Sequence, residues 1–285
     1  MTVTTRIGIV ADRVGWEERA LIERASHLGL RVDWVNDESL CLGAVDAPSV
    51  ADFDALLIRS RSYTRGGLLA ALAEAGGVRV HNSAAAIHAC ENKLVLRAVL
   101  REAGVPVPDF RLVLSRADFA AALDDLGMPV VVKPVYGGMG KRVTLIRDRD
   151  LANSVYDHIE DLGHGFEQAY LAEPFLAGGR SIRCLVVGRQ IVVTAEFRGA
   201  GGDWRSNAAL GNRSRSLAQT PEVRKIVDAV VDRLGPGIYG IDLFDTAAGY
   251  LVNEVNHAPA WRGVAETTDL DIPAAVLGHL QEVLV

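Results

Sequence analysis

Short apolar runs alternate with amphipathic segments over the first part of the chain. Residues 7–10 and 55–58 are apolar runs of strand length, whereas apolar residues recur at helical spacing over 17–28 and 68–75. Strands that alternate with helices form units with a parallel sheet. The pattern therefore predicts a small parallel α/β lobe, which we place at 1–88.

The pattern changes after this lobe. One helix is predicted over 84–100, and Pro106 and Pro108 follow it as a hinge. We assign 89–173 to a central lobe. The other elements predicted there are strands over 110–114, 130–133 and 143–146, the last two antiparallel, and a helix over 117–126.

The last third of the chain contains longer strands. Residues 182–187 and 190–197 predict a hairpin that turns at Gly188 and Arg189. We assign 174–285 to a C-terminal lobe, so the predicted fold class is α/β with α+β lobes. The remaining elements are a helix over 221–234, strands over 238–244 and 250–255, and a helix over 274–284.

Composition narrows the functional classes. The chain has 30 Lys and Arg against 36 Asp and Glu, a net charge of −6, so sequence-independent binding to nucleic acid is not expected. Its three cysteines have neither zinc-site nor disulfide-framework spacing. No apolar run reaches the roughly 18 residues that cross a bilayer, and the N-terminus lacks the apolar core of a signal peptide. We therefore expect a cytoplasmic protein without membrane partners.

A lysine leaves an apolar strand just before a glycine-rich loop. Lys133 ends the run over 130–133, and Gly137, Gly138 and Gly140 follow it. Backbone N–H groups in such a loop form a concavity for anions, and a lysine adds a point charge. The pattern indicates phosphate binding, although a tight hairpin with Lys133 at its edge explains it equally well.

Acidic residues lie within two apolar strands near the C-terminus. Asp242 lies in the strand over 238–244, and Glu254 and Asn256 point to one face of the next strand. If the strands pair, three oxygen ligands of the type that Mg²⁺ accepts come together. The alternative is a solvated hairpin edge, although carboxylates in apolar strands are costly without a partner.

The order of these motifs resembles that of the ATP-grasp carboxylate–amine ligases. The chain is most similar to the branch with the ribosomal-protein glutamate ligases and the ligases that add an amino acid to an acidic amino-group carrier protein. The resemblance implies an ATP-grasp fold after a Rossmann-like N-terminal lobe. The matching motifs are Lys93, V-K-P at 132–134, A-E-P at 172–174, I-R at 182–183, D-W-R-S-N at 203–207, Asp242 and L-V-N-E-V-N-H at 251–257.

The resemblance also implies roles for residues at matching positions. Two Mg²⁺ ions, for which Mn²⁺ is a further candidate, are implied at Asp242, Glu254 and Asn256. Family enzymes phosphorylate a carboxylate to an acylphosphate, from which an amine displaces phosphate. Contacts to ATP are implied for Lys93, Lys133, Gly137, Gly138, Gly140, Lys141, Glu173, Pro174, Ser181 and Arg183, and contacts to the transferred phosphoryl group for Arg198, Arg205 and Asn207.

Some positions depart from the family pattern. Ser181 stands where many relatives carry an aspartate near the ribose, and 208–213 and 258–263 also differ. The last of these segments lies where acceptor specificity is expected.

Three further residues are candidates for substrate contacts. Arg59 and Arg61 belong to a run with three arginines in seven residues, which attracts a negatively charged substrate if it lines a cleft and is otherwise solvated surface. His257 directly follows the metal motif, so it either faces substrate or has a structural role.

The first hypothesis is therefore an ATP- and Mg²⁺-dependent ligase that joins a carboxylate to the amine of an amino acid or peptide. The candidate carboxylate is the C-terminal glutamate of a small acidic carrier protein. The alternatives are a small-molecule or intramolecular ligase of secondary metabolism and a non-catalytic nucleotide-binding protein. We expect a homo-oligomer, either a dimer or a tetramer.

Overall fold

A computed structural model describes residues 5–38, 50, 52–138, 141–161, 169–176, 180–198 and 213–284. The strands are β1 (Arg6–Ala11), β2 (Arg31–Asn36), β3 (Ala55–Ile58), β4 (Arg79–His81), β5 (Arg111–Val113), β6 (Val130–Pro134), β7 (Thr144–Ile146), β8 (Tyr170–Pro174), β9 (Arg180–Gly188), β10 (Gln190–Arg198), β11 (Arg213–Ser216), β12 (Gly237–Thr246) and β13 (Gly249–Asn256). The helices are α1 (Trp16–His27), α2 (Arg65–Ala75), α3 (Ala84–Glu91), α4 (Lys93–Glu102), α5 (Arg116–Leu126), α6 (Arg149–Asp161), α7 (Pro221–Leu234), α8 (Arg262–Ala265) and α9 (Ile272–Glu282).

The first sheet is parallel, with the strand order β2-β1-β3-β4. Strands β1 and β3 are short apolar runs, and β3 is buried at all four positions. Leu56 and Ile58 of β3 pack in one apolar cluster with Ala70 of α2 and Ile87 of α3. The predicted parallel α/β lobe is therefore confirmed.

The second sheet has the order β5-β8-β6-β7, with antiparallel neighbours. The predicted antiparallel pairing of the strands on either side of the glycine loop is confirmed, because β6 pairs with β7. Strand β6 also pairs with β8, in a register that aligns Lys133 with Leu171 and Val131 with Glu173. This register brings Lys133 and Glu173 onto neighbouring strands.

The third sheet has the order β11-β10-β9-β12-β13, and its central strands β9 and β12 pack against two apolar cores. The predicted hairpin turns at Gly188, whose φ of 64° lies in the left-handed region that favours glycine. Alternate residues of β9 enter different cores, because Cys184 packs with Val227 of α7 and Leu185 packs with Trp261. The three-lobe boundaries at 88 and 173 stay a prediction.

The single helix predicted over 84–100 is wrong. Residue Asn92 separates α3 from α4, and its side chain accepts hydrogen bonds from the backbone N–H groups of Leu94 and Val95, each at 3.0 Å. An asparagine in extended conformation at this point begins a new helix because its side chain satisfies backbone donors that have no helical partner. Lys93 thereby becomes the first residue of α4.

Residue Asn82 fastens the first lobe to the third sheet. Its Oδ1 accepts from the backbone N–H of Ile238 at 2.6 Å, and its Nδ2 donates to the carbonyls of Ile238 and His257 at 2.8 and 2.9 Å. The side chain is buried, so these bonds hold the segment after β13 beside the first lobe. In the part of the chain that the structure describes, no helix is both long and apolar enough to span a membrane.

The buried His81 should make the stability of the folded protein depend on pH. Its imidazole is buried edge-on to His279, with ring centroids 5.4 Å apart, and burial, then His279 and Arg79, lower its pKa to about 4. The unfolded chain takes up this proton near pH 6.5, so stability falls as the pH drops from 6.5 towards 4, by roughly 3 kcal/mol. Urea unfolding of His81→Phe across this range should give a correspondingly flatter curve. The exposed His27→Phe should track the wild type, and parallel curves for His81→Phe and wild type would contradict the assignment.

Candidate active site

A buried ion cluster joins the second sheet to α4. The Nζ of Lys133 lies 2.6 Å from Oε2 of Glu173, and the guanidinium of Arg97 lies 2.8 Å from Oε1 of the same carboxylate. The three side chains are at most 8% exposed. Two cations share one anion, so the cluster carries a net positive charge that suits a phosphate ligand.

A β-bulge completes this cluster from the third sheet. The register between β12 and β13 shifts after Asp242, so Asn253 has no partner on β12. The Oδ1 of Asn253 lies 3.3 Å from the Nζ of Lys133 and 3.4 Å from Nη2 of Arg97. Arg97 also donates through Nη1 to the Val252 carbonyl at 2.6 Å. Bulges redirect side chains next to functional sites, and this one points an amide at the ion cluster.

The electrostatics of the cluster follow from burial and pairing. Burial alone would raise the pKa of Glu173, but Arg97 and Lys133 outweigh it and hold that pKa below its usual value. Burial lowers the pKa of Lys133, and Glu173 offsets only part of this effect. The carboxylate therefore stays ionised and keeps both cations in place.

The glycine loop lies against the start of α4. Lys93 donates through its backbone N–H to the Val135 carbonyl at 3.0 Å and through Nζ to the Gly137 carbonyl. The Nδ2 of Asn92 donates to Oη of Tyr136 at 3.1 Å. Burial lowers the pKa of Lys93, and Glu254 and Glu173 partly counter this effect. The structure thus brings together Lys93 and the described part of the loop.

Two of the proposed metal ligands, Asp242 and Glu254, lie in a row with Arg183 across three strands. Arg183 of β9 is aligned with Asp242 of β12, which is aligned with Glu254 of β13. Arg183 donates to both oxygens of Asp242, Nε to Oδ1 at 2.7 Å and Nη2 to Oδ2 at 2.6 Å. Burial lowers the pKa of Arg183, but Asp242 outweighs burial and raises it overall.

The donor chemistry of this row fits Mg²⁺. Within the described residues no cluster of three or more His, Cys, Asp or Glu is present. The third proposed ligand, Asn256, offers an amide oxygen and is aligned with Gly240. A carboxylate has about four lone-pair sites, and the paired Asp242 keeps sites free beyond the two that Arg183 uses. Carboxylate and amide oxygens are the ligands that this hard cation accepts.

The structure corrects the prediction for Arg59. Its side chain is buried, its Nε lies 2.6 Å from Oε1 of Glu18, and its guanidinium stacks 4.6 Å from the ring centre of Trp261. Burial alone would raise the pKa of Glu18, but Arg59 outweighs it and lowers that pKa. Arg59 is therefore a structural cation between α1 and the segment after β13, whereas Arg61 is exposed.

Four of the other predicted positions, His257, Pro174, Ser181 and Lys141, lie in the described part of the chain. His257 is 11% exposed in its side chain, and its Nε2 lies 3.5 Å from Oε1 of Glu91. Pro174 ends β8, and Ser181 lies on β9 two residues before Arg183, on the same face. Lys141 is exposed. The remaining positions, Gly140, Arg205, Asn207 and the side chain of Arg198, lie outside the described residues.

Sequence reasoning missed several residues that the structure places at the site. Arg97 was not singled out because it lies among apolar residues of a predicted helix. It is nevertheless one turn from Lys93 and thus on the same helix face. Asn253 belonged to the quoted N-E-V-N motif, but strict alternation gives no sign of a bulge. Glu91, beside His257, had no motif that marked it.

Comparison with known proteins is consistent along the whole chain. Residues 90–280 match the model of the RimK-like ATP-grasp domain, and residues 7–89 match that of the LysX preATP-grasp domain. The glutamate–LysW ligase ArgX of Sulfurisphaera tokodaii is 26% identical over 97% of this chain and 98% of its own length. The α-aminoadipate–LysW ligase LysX of Saccharolobus solfataricus is 29% identical over 94% and 98%.

Solved structures share the fold. A RimK domain ATP-grasp protein from Sphaerobacter thermophilus superposes with a TM-score of 0.81 at 27% identity, covering 96% of this chain and 99% of that chain. The ATP-grasp ligase PsnB, in complex with a minimal precursor, Mg and ADP, gives a TM-score of 0.72 at 19% identity over 98% and 99%. The predicted ATP-grasp fold and the predicted ADP-forming carboxylate–amine ligase are confirmed. The chain belongs to the RimK-like ATP-grasp family, with a LysX-type preATP-grasp domain before the ATP-grasp domain.

Proposed function

We propose that this enzyme uses ATP and Mg²⁺ to join the α-amine of an amino acid to a carboxylate of a small acidic carrier protein. The supporting observation is that relatives matched over 97% of this chain and 98% of their own length are named as ligases of glutamate or α-aminoadipate to LysW. The candidate carboxylate is the C-terminal glutamate of such a carrier. The enzyme then belongs to amino-acid biosynthesis.

Nucleotide binding is proposed at the ion cluster and the glycine loop. Lys93 and Lys133 hold phosphates, and Gly137, Gly138, Gly140 and Lys141 form the loop over them. Glu173 and Pro174 line the adenine side, and Ser181 and Arg183 complete the ATP contacts. The net positive charge of the Lys133, Glu173 and Arg97 cluster supports this assignment, because a buried excess of one cation is stabilised by an anionic ligand.

Metal binding is proposed at Asp242, Glu254 and Asn256, with two Mg²⁺ ions or, as a further candidate, Mn²⁺. The cross-strand alignment of the two carboxylates supports a shared site. Bound Mg²⁺ neutralises phosphate charge and so favours phosphoryl transfer. Arg183 orients the Asp242 carboxylate by its two hydrogen bonds.

The chemistry needs no protein nucleophile. The carrier carboxylate attacks the γ-phosphorus of ATP, ADP leaves, and an acylphosphate forms. The amine loses its ammonium proton and attacks the acyl carbon, the C–N bond forms, a second N–H proton is released, and phosphate leaves with the C–O bond electrons. Arg198, Arg205 and Asn207 are proposed to face the transferred phosphoryl group, while the lysines and the loop position the nucleotide.

The burial of Arg59 favours a second candidate function, a small-molecule ligase without a carrier. Of the two arginines predicted to receive the acidic partner, Arg59 is already neutralised by Glu18, so only Arg61 presents its charge to solvent. Segment 258–263 also departs from the carrier-protein ligases. The cytoplasmic location and the homo-oligomeric state stay predictions.

The reaction should require both partners and the metal ligands. ADP should form from ATP and Mg²⁺ only when carboxylate and amine are both supplied, as a coupled ADP assay measures. Glu254→Gln should abolish this rate because the amide removes a charged metal ligand. Glu102→Gln, on the exposed surface of α4, should retain it. Sustained turnover by Glu254→Gln would disprove the metal assignment.

Carrier use should depend on Arg61. Arg61→Ala should raise the KM for a LysW-type carrier about two- to fivefold at low salt, and the effect should shrink as salt screens the charge. The KM for the amino acid should not change. Arg189→Ala, at the exposed hairpin turn, serves as the matched control. An unchanged carrier KM, with full activity on a small carboxylate, would favour the second candidate function.

The ion cluster should be required for stability as well as for ATP binding. Glu173→Gln leaves Arg97 and Lys133 buried without an anion, so we expect the free energy of unfolding to fall by roughly 3–5 kcal/mol. Urea unfolding measures this change, and titration with ATP should detect weaker binding because Lys133 loses its partner. Glu102→Gln should stay within about 0.5 kcal/mol of wild type. A loss below about 1 kcal/mol for Glu173→Gln would mean that the cluster does not carry the charge balance described.

A further inference from the structure

Glu91 is a buried carboxylate that lacks the hydrogen bonds such a group requires. It is the last residue of α3, its side chain is 3% exposed, and neither Oε1 nor Oε2 has a hydrogen-bond partner. The Nε2 of His257 lies 3.5 Å from Oε1, and among the described residues no lysine or arginine forms an ion pair with Glu91. A buried charge in this state costs several kcal/mol unless a partner is supplied.

Its position in the helix adds to this cost. A negative charge is disfavoured at a helix C-terminus, because the helix dipole places partial negative charge there. The start of α2 approaches the carboxylate from the other side, where a Cβ on Gly66 would lie 3.5 Å from Oε1. No lysine or arginine among the described residues forms an ion pair with Glu91, and a bound cationic group would supply that partner.

The carboxylate lies beside the proposed metal and loop residues. His257 directly follows Asn256. Burial, then Glu254, raises the pKa of Tyr63; Arg142 opposes this rise, and Glu91 makes a smaller contribution to it. A Cβ on Gly138 would lie 3.2 Å from the Tyr63 hydroxyl, so the glycine loop also reaches this point. Glu91 thus lies where the first lobe, the loop and the residue after β13 meet.

We propose that Glu91 binds the protonated α-amine of the incoming amino acid, a role that rests on the proposed function. An ammonium is compact and has three N–H donors, which is enough to reach both unpartnered oxygens of one carboxylate. The unpartnered Nδ1 of His257 offers a further polar contact to the same ligand. A metal ion is a poorer occupant, because no cluster of three or more His, Cys, Asp or Glu is present in the described part of the chain.

The test compares ligands that differ only in the amine. L-Glutamate and L-2-aminoadipate are titrated into the full chain with ADP and Mg²⁺ by calorimetry, alongside glutarate and adipate, which lack the amine. Wild type should bind each amino acid about 10- to 100-fold more tightly than its deaminated analogue, as expected for a charge-assisted contact. In Glu91→Gln this ratio should fall to near one, whereas a purely structural role would weaken both ligands alike.

Two control variants separate this role of Glu91 from a folding defect. Glu102→Gln should keep the wild-type ratio, and Glu91→Asp, a shorter carboxylate, should give an intermediate ratio if Glu91→Gln does not fold. A wild-type ratio near one, or an unchanged ratio in folded Glu91→Gln, would overturn the proposal.

Hydroxylamine trapping distinguishes a failure of the Glu91 proposal from a failure of the proposed function. With ATP, Mg²⁺ and a LysW-type carrier, wild type and Glu91→Gln should form carrier hydroxamate at similar rates, because the acylphosphate forms before the amine attacks it. Loss of hydroxamate in folded Glu91→Gln would place Glu91 in the ATP step and overturn its assignment to the amine. Absence of hydroxamate in wild type would instead overturn the proposed function, while the calorimetric ratio still tests Glu91 separately.

Discussion

One shared carboxylate, Glu173, organises the interior of this enzyme. It neutralises Lys133 from the neighbouring strand and Arg97 from α4, and Asn253 of the third sheet accepts from both cations. Removing the anion would leave two buried positive charges, whereas the intact cluster keeps one excess charge. The same contacts therefore hold the second sheet, α4 and β13 together. They also leave a net positive charge that suits a phosphate ligand.

A second set of polar contacts fixes the first lobe against the third sheet and the segment after β13. Arg59 bonds Glu18 of α1 and the carbonyl of Pro259, and Asn82 bonds the backbone of β12 and the carbonyl of His257. Both side chains are buried, so the segment after β13 is held from two sides. This arrangement sets His257 and Glu91 beside the proposed metal ligands.

The sequence predicted those site residues whose placement depends on local pattern. Lys133 ends an apolar strand before glycines, and Asp242 and Glu254 interrupt apolar strands at positions that alternation aligns. Asn253 could not be placed, because a one-residue bulge has no signature in the period of the strand.

Two failures have a different physical origin. The break at Asn92 depends on a side-chain cap that competes with helix continuation, so the apolar spacing through 84–100 was misleading. Arg59 was grouped with exposed arginines, because charge density along a chain carries no record of a buried partner such as Glu18, which is 41 residues away. Tertiary pairing, which only the folded chain reveals, determines both Arg59 and Arg97.

The central claim is that this enzyme forms an amide on a carrier protein. The most direct measurement is the intact mass of a LysW-type carrier after incubation with the enzyme, ATP, Mg²⁺ and either L-glutamate or L-2-aminoadipate. The account predicts that the carrier gains the mass of one amino acid less one water, with one ADP formed per modified carrier. Consumption of ATP with an unchanged carrier mass, and a small amide as the product, would contradict it.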